Sequence, residues 1–76
     1  MRLSEREALR VNIEGRRLEK AGRIGEAIAL YEYGVAGETD TLATYTRLRI
    51  LYWKLRRIED VERIKQLMVK RWGHWW

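Results

Sequence analysis

Few side chains in this sequence have the types and spacing needed for acid–base or metal chemistry. His74 is the single histidine, and it lies in a tryptophan-rich stretch with no neighbouring carboxylate, cysteine or serine. The chain contains no cysteine, so the thiolate ligands of a typical structural zinc site are missing. We therefore expect no enzyme activity, no catalytic residue, no metal site and no cofactor.

Acidic residues are the second group whose side chains could take part in chemistry. Glu59, Asp60 and Glu62 are close together in the sequence. The first turn of a helix would suit them, because the helix dipole favours negative charge there. Glu59 is also placed to pair with Arg63 four residues later. This structural role accounts for the cluster without a paired-carboxylate mechanism. Glu14 either marks a polar patch on a groove or simply faces water.

The basic residues are unevenly distributed. Residues 1–38 carry seven Lys/Arg and seven Asp/Glu, whereas residues 39–76 carry nine Lys/Arg and four Asp/Glu. Cations interleaved with aromatic rings can hold phosphates while the rings stack on bases. A solvated basic face that aids solubility explains the same excess. The candidate contacts for a partner or a nucleic acid are Arg49, Trp53, Arg56 and Arg57.

Three of the four tryptophans lie within the last five residues. One interpretation is that they continue the apolar stripe of a final helix and pack on the chain's own core. The other is that they anchor a second chain, since tryptophan is enriched at interface anchors. The second interpretation predicts a homodimer. Its predicted interface is Met68, Trp72, Trp75 and Trp76.

Positioning these residues requires helices, and apolar residues do recur every three or four positions. Ser4 and Glu7 form a capping box at the start of the first helix. Leu9 and Ile13 widen the apolar stripe of that helix. We predict an all-α fold with helices over 5–21, 25–36, 41–55 and 59–72, stacked as two antiparallel pairs, 5–36 and 41–72, with a Trp-rich tail at 72–76.

The junction between the third and fourth helices contains neither glycine nor proline, so one continuous helix over 41–72 is an alternative. From Tyr52 to Ile64 the apolar residues are spaced three apart. On a continuous helix this spacing would rotate the apolar face by about 120°. We therefore favour a break near Arg56-Arg57. The expected N-cap of the third helix is Asp40 or Thr39.

A weak internal repeat connects the two predicted pairs. At an offset of 34 positions, Leu18 corresponds to Tyr52 and Ala27 to Val61. A period of this length is typical of stacked helix–turn–helix units. The repeat covers residues 11–71.

The residues at these positions resemble the tetratricopeptide repeat, and the chain resembles a minimal two-repeat bacterial member of that family. In the first unit Val11, Gly15, Leu18, Ala27 and Tyr31 match the family's spacing. In the second unit Tyr45, Leu48 and Tyr52 match, whereas Arg49 and Lys65 replace the family's glycine and aromatic residue, and Val61 its alanine. The helix-crossing core implied by the resemblance is Gly15, Leu18, Ala27, Tyr31, Leu48, Tyr52 and Val61.

The resemblance implies one helical-repeat domain over 1–76 that binds a protein or peptide, or assembles with itself. A nucleic-acid-binding protein that uses the basic second half is the alternative. A membrane-active basic peptide is a third option, which the acidic residues of the fourth helix disfavour. The charged N-terminus and the lack of a long apolar run lead us to expect a cytoplasmic protein.

Overall fold

A computed structural model describes residues 2–76, and the described chain is all-α, as predicted. The helices form two hairpins, α1 with α2 and α3 with α4, and α3 also packs against both α1 and α2. No helix in this part of the chain is long and apolar enough to cross a membrane. The helices are α1 (Glu5–Lys20), α2 (Ile24–Ala36), α3 (Leu42–Lys54) and α4 (Ile58–Trp72).

The start of α1 shows the predicted cap. The side-chain oxygen of Ser4 accepts a hydrogen bond from the Glu7 backbone N–H at 3.2 Å. The Glu7 carboxylate does not complete a reciprocal capping box. It instead accepts a hydrogen bond from the Tyr33 hydroxyl at 3.1 Å and so ties the start of α1 to α2. This contact between helices could not be seen in the local sequence motif.

The predicted cap of α3 is wrong, because its N-cap is Thr41 rather than Asp40 or Thr39. Thr39 is buried beneath the helix start instead. Its side-chain oxygen accepts the Thr41 backbone N–H at 3.2 Å. Its carbonyl oxygen accepts the Tyr45 hydroxyl at 3.1 Å. Burial against the core thus uses Thr39 to order the loop rather than to cap the helix.

The two hairpin turns have the same backbone hydrogen bonds at an offset of 34 positions. The Arg23 N–H donates to the Leu18 carbonyl at 2.9 Å, and the Arg57 N–H donates to the Tyr52 carbonyl, also at 2.9 Å. The predicted break near Arg56-Arg57 is therefore present, and the alternative of one continuous helix is wrong. The residue before each donor has a left-handed backbone: Gly22 with φ 77° and Arg56 with φ 61°.

The crossing of α1 and α2 is tight because Gly15 has no side chain. A Cβ atom added to Gly15 would lie 2.2 Å from the Tyr31 ring, well inside the contact distance of two carbon atoms. Tyr31 and Ala27 are fully buried in this crossing, whereas Leu18 is only half-buried at its edge. The residues predicted for the second crossing are also buried: Leu48, Tyr52 and Val61.

Candidate interaction surfaces

One carboxylate, Glu19 of α1, connects three helices. It accepts hydrogen bonds from the Tyr31 hydroxyl of α2 at 2.5 Å and from Arg47 Nε of α3 at 3.2 Å. Burial alone would raise the pKa of Glu19, but the hydrogen bonds from Arg47 and Tyr31 outweigh it and lower that pKa. Burial and the contact with Glu19 raise the pKa of Tyr31. A carboxylate engaged in this way holds the helices together.

A second carboxylate, Glu32 of α2, joins its helix to both helices of the second hairpin. It accepts hydrogen bonds from the Tyr52 hydroxyl of α3 and from the Arg63 guanidinium of α4. Burial, together with the hydrogen bond to Glu32, raises the pKa of Tyr52 to about 12. Arg63 also reaches Asp60 at 3.3 Å. The predicted pair of Glu59 with Arg63 is therefore replaced by partners on Arg63's own helix and on α2.

Two further acidic side chains on helix surfaces, Glu14 and Glu62, have partners on their own helices. Glu14 pairs with Arg17 at 2.8 Å along the surface of α1, and it also lines a groove between α1 and α2 together with Arg10 and Tyr33. Glu62 pairs with Lys65 at 3.6 Å. Within residues 2–76 no group of three or more His, Cys, Asp or Glu side chains is arranged to hold a metal ion. The His74 ring packs edge-on against the Trp76 ring, with 4.8 Å between the ring centres.

The four predicted contact residues do not form one cluster. Arg57 pairs with Asp60 at 2.8 Å. Arg49 is half-buried, and its guanidinium carbon lies 5.4 Å from the centre of the Trp75 ring. Arg49 and Arg57 are thus both engaged within the chain itself. Their contact with a partner or a nucleic acid stays a prediction.

The other two predicted contacts, Trp53 and Arg56, remain available to solvent. Trp53 is 54% exposed at the end of α3, and Arg56 lies in the turn that follows. Leu55 and Ile58 beside them are 49% and 46% exposed. These residues form a patch at the second hairpin turn that combines one aromatic ring, two aliphatic side chains and a cation. We refer to Trp53, Leu55, Arg56 and Ile58 as the turn patch.

The predicted interface at the end of α4 requires a correction, because Met68 is fully buried in the chain's own core. It offers no surface to a second chain. Trp72 is half-buried, and its ring packs edge-on against Tyr45 with 5.1 Å between the ring centres. Gly73 then takes a left-handed conformation with φ 74° and ends the helix. Met68 and Trp72 therefore serve the chain's own packing.

Trp75 and Trp76 fold back along the chain after Gly73 but remain accessible. The Lys65 ammonium lies 4.0 Å from the centre of the Trp75 ring. The Trp76 ring packs edge-on against Trp72, with 6.4 Å between the ring centres. Even so, Trp75 is 40% exposed and Trp76 is 50% exposed. The tail thus covers part of the helix surface and presents the outer sides of both rings to solvent.

The solvent-facing side of α1 is the surface that the sequence interpretation missed. Leu9 and Ile13 were assigned to the core stripe, but they are 58% and 55% exposed. The buried side of α1 carries Ala8, Val11 and Gly15 instead. At about 100° per residue, six of the exposed residues fall within an arc of about 120°, which also contains Arg17, already paired with Glu14. We call this set the outer face of α1: Arg6, Leu9, Arg10, Ile13, Arg16 and Lys20.

The four cations on the outer face of α1 form no salt bridge within residues 2–76, although Arg10 lies near Glu14 and helps to lower the pKa of that carboxylate. Salt bridges elsewhere in residues 2–76 engage Arg17, Arg23 and Arg47 with carboxylates, but they include none of the four cations of this face. The signal was present in the sequence, because these cations and the two aliphatic residues recur every three or four positions. Counting charge over whole halves of the chain concealed it, since the acidic residues of the first half, four of which lie in α1, cancel these cations in the sum.

Comparisons with models of known protein families, with curated proteins and with solved structures find no match to this chain.

Proposed function

We propose that this chain is a small helical-hairpin module that binds a protein or peptide partner, in the manner of the tetratricopeptide repeats that its sequence resembles. The hairpins supply stiff helices whose outer sides are free. The hydrogen-bonded carboxylates Glu19 and Glu32 are used to join those helices. A binding role therefore agrees better with the arrangement than a chemical one.

One observation carries the proposal, namely the outer face of α1. Leu9 and Ile13 are each more than half exposed at the middle of this face. Burial against a partner would remove their apolar surface from water, at about 25 cal/mol per Å². The surrounding cations would give such a contact its orientation and specificity. Apolar side chains at the centre and polar ones at the rim are the arrangement found in protein contact sites.

The test is affinity capture with the purified full chain as bait, from a nuclease-treated extract. We expect a protein to be recovered in stoichiometric amount and to rebind the bait when both are purified. Heat-unfolded bait is the control for non-specific adsorption. A parallel capture from an untreated extract completes the test: if it recovers nucleic acid while the treated extract yields no protein, the proposal is refuted.

Nucleic-acid binding is the second candidate, and the turn patch favours it. Trp53 could stack on a base while Arg56 and the neighbouring exposed Lys54 contact phosphates. Affinity for a single-stranded oligonucleotide should then fall with salt, with a log–log slope of about −0.7 per phosphate contacted. Reversing the charges of Lys54 and Arg56 to Glu should abolish binding. Reversing Arg6 and Arg10 on α1 provides the charge-matched control.

Self-association remains a proposal for the exposed rings of the tail. A two-fold dimer would bury Trp75 and Trp76 of each chain against its copy, since one patch then serves both subunits. Sedimentation equilibrium at tens of micromolar should give twice the chain mass of 9.2 kDa. Removing residues 74–76 should restore the monomer and leave Trp72 on the core. A monomeric mass for the complete chain would exclude the dimer.

A further inference from the structure

The outer face of α1 has a regular order along the helix. Arg6, Leu9, Ile13, Arg16 and Lys20 follow one another at steps of three, four, three and four residues. This is the spacing by which one helix packs along another in a coiled-coil seam. The two middle positions are aliphatic and the outer ones are cationic. All five side chains are exposed, so the seam has no partner within the described chain.

We propose that the outer face of α1 docks an acidic amphipathic helix of a partner protein. Aliphatic side chains of that helix pack on Leu9 and Ile13, and its carboxylates pair with the surrounding cations. The inference rests on the proposed function and names the face and the chemistry of the partner.

Charge complementarity is the first argument. Three of the four carboxylates within α1 are already engaged: Glu7 accepts from Tyr33, Glu14 pairs with Arg17, and Glu19 holds Arg47 and Tyr31. The fourth, Glu5, precedes Arg6 at the start of the helix. Arg10 adds a further cation at one flank of the seam. A docked helix with carboxylates every three or four residues would meet cations before, beside and after the aliphatic pair. The 16 residues of α1 provide a seam of about 24 Å, which matches about four turns of the partner.

The chemistry of the face argues against two other anionic partners. None of its six side chains is aromatic, so it offers no ring for base stacking, and a phosphate backbone would leave Leu9 and Ile13 unburied. Interfacial membrane helices place their main apolar side in the lipid. In α1 that side, with Ala8 and Val11, is buried in the protein core. A helix that presents both carboxylates and aliphatic groups satisfies all six residues.

The probe is a blocked helical peptide of about four turns. It carries two leucines four residues apart at its centre, glutamates three and four positions to either side of them, and alanine elsewhere. Its binding to the full chain is followed by fluorescence anisotropy. One matched peptide has every Glu replaced by Gln. Another has the same composition with the two leucines placed two residues apart. We expect each change to weaken binding by about tenfold.

Variants of the chain locate the contact. Arg6→Glu with Arg16→Glu should weaken peptide binding by about tenfold, and Leu9→Ser with Ile13→Ser by a similar factor. Two control pairs change the same chemistry elsewhere on the surface. Arg56→Glu with Lys70→Glu matches the charge change, and Leu55→Ser with Ile58→Ser matches the loss of aliphatic surface. All of these positions are exposed, so circular dichroism should show an unchanged helix content.

Several results would overturn the inference. They are no peptide binding up to about 1 mM, equal losses in the control variants, or tighter binding of phosphatidylserine vesicles or oligonucleotides to the same face. Its failure is distinguishable from failure of the proposed function. A natural partner that still binds the α1 variants would refute only the assigned face. Capture of no protein by the unaltered chain would refute the proposed function itself.

Discussion

The two hairpins share a turn but differ at their helix crossings. The turn hydrogen bonds of the first hairpin recur in the second at an offset of 34 positions. In the first crossing the Tyr31 ring packs against the bare backbone of Gly15. The corresponding positions in the second hairpin are Arg49 and Lys65, which are both half-buried. The same backbone turn is therefore compatible with an apolar, close crossing and with a polar one.

The C-terminal tail supplies an aromatic ring to the crossing of the second hairpin. Arg49 and Lys65 both face one aromatic ring, that of Trp75, at 5.4 Å and 4.0 Å from its centre. In the first hairpin the ring at the crossing is that of Tyr31, which belongs to α2. In the second hairpin it is that of Trp75, which follows the end of α4. At these matched positions, the ring over the crossing therefore comes from within the helix pair in the first hairpin and from the tail in the second. Four predictions test this contrast, beginning with the largest expected effect.

Truncating the side chain at the matched positions 31 and 65 should affect the two hairpins very unequally. Tyr31→Ala would empty a fully buried site and remove a hydrogen bond to Glu19, at a cost of about 3–5 kcal/mol in the free energy of unfolding. Lys65→Ala at the matching position should cost less than about 1 kcal/mol, because only a half-buried polar chain is lost. Urea denaturation measures both. Equal losses would show that the second crossing depends as strongly on its side chains as the first.

Adding a methyl group to a glycine should lower stability only at the close crossing of α1 and α2. Gly15→Ala would place a methyl group 2.2 Å from the Tyr31 ring, so overpacking should cost about 1–3 kcal/mol. Gly25→Ala is the control, because no atom lies within 4 Å of its added Cβ. The control should leave the melting temperature unchanged or slightly raised. A neutral Gly15→Ala would mean that α1 and α2 can separate without loss.

Substitutions at the two left-handed turn positions should change the free energy of unfolding in opposite directions. Gly22→Ala forces a side chain into a left-handed backbone with φ 77° and should cost about 1 kcal/mol. Arg56 already bears that strain at φ 61°, so Arg56→Gly should gain up to about 1 kcal/mol. Thermal melts at matched concentration compare the two variants. Destabilisation by both would indicate that the Arg56 side chain compensates for its backbone conformation.

The Trp75 ring of the tail should contribute least to the free energy of unfolding. Trp75→Ala removes the contacts with Lys65 and Arg49, and at this exposure we expect a loss of about 0.5–1 kcal/mol. Trp76→Ala is the control, since Trp76 packs on Trp72 and touches neither cation. Guanidinium chloride would screen these charges, so unfolding is measured in urea. A larger loss in the control would show that the tail acts through Trp72 and not through the second crossing.

Much of the local structure followed directly from the sequence. The capping Ser4 and the left-handed Gly22 mark boundaries that depend on a few neighbouring residues. The break at Arg56-Arg57 followed from the change in apolar phase, even though neither glycine nor proline marks it. Helix ends therefore fell within one residue of their predicted positions. Hydrogen bonds over three or four residues decide such features, and the sequence displays those residues side by side.

Which side of each helix is buried was decided only in three dimensions. In α1 the series Ala8, Val11, Gly15 and the pair Leu9, Ile13 both have helical spacing, but only the first meets α2 and α3. Met68 went to the core while its predicted companions Trp75 and Trp76 stayed at the surface. The joining of three helices by Glu19 likewise depends on residues from all of them. Periodicity identifies surfaces that can be buried, but the fit of neighbouring helices selects among them, because side chains far apart in sequence must fill one shared volume.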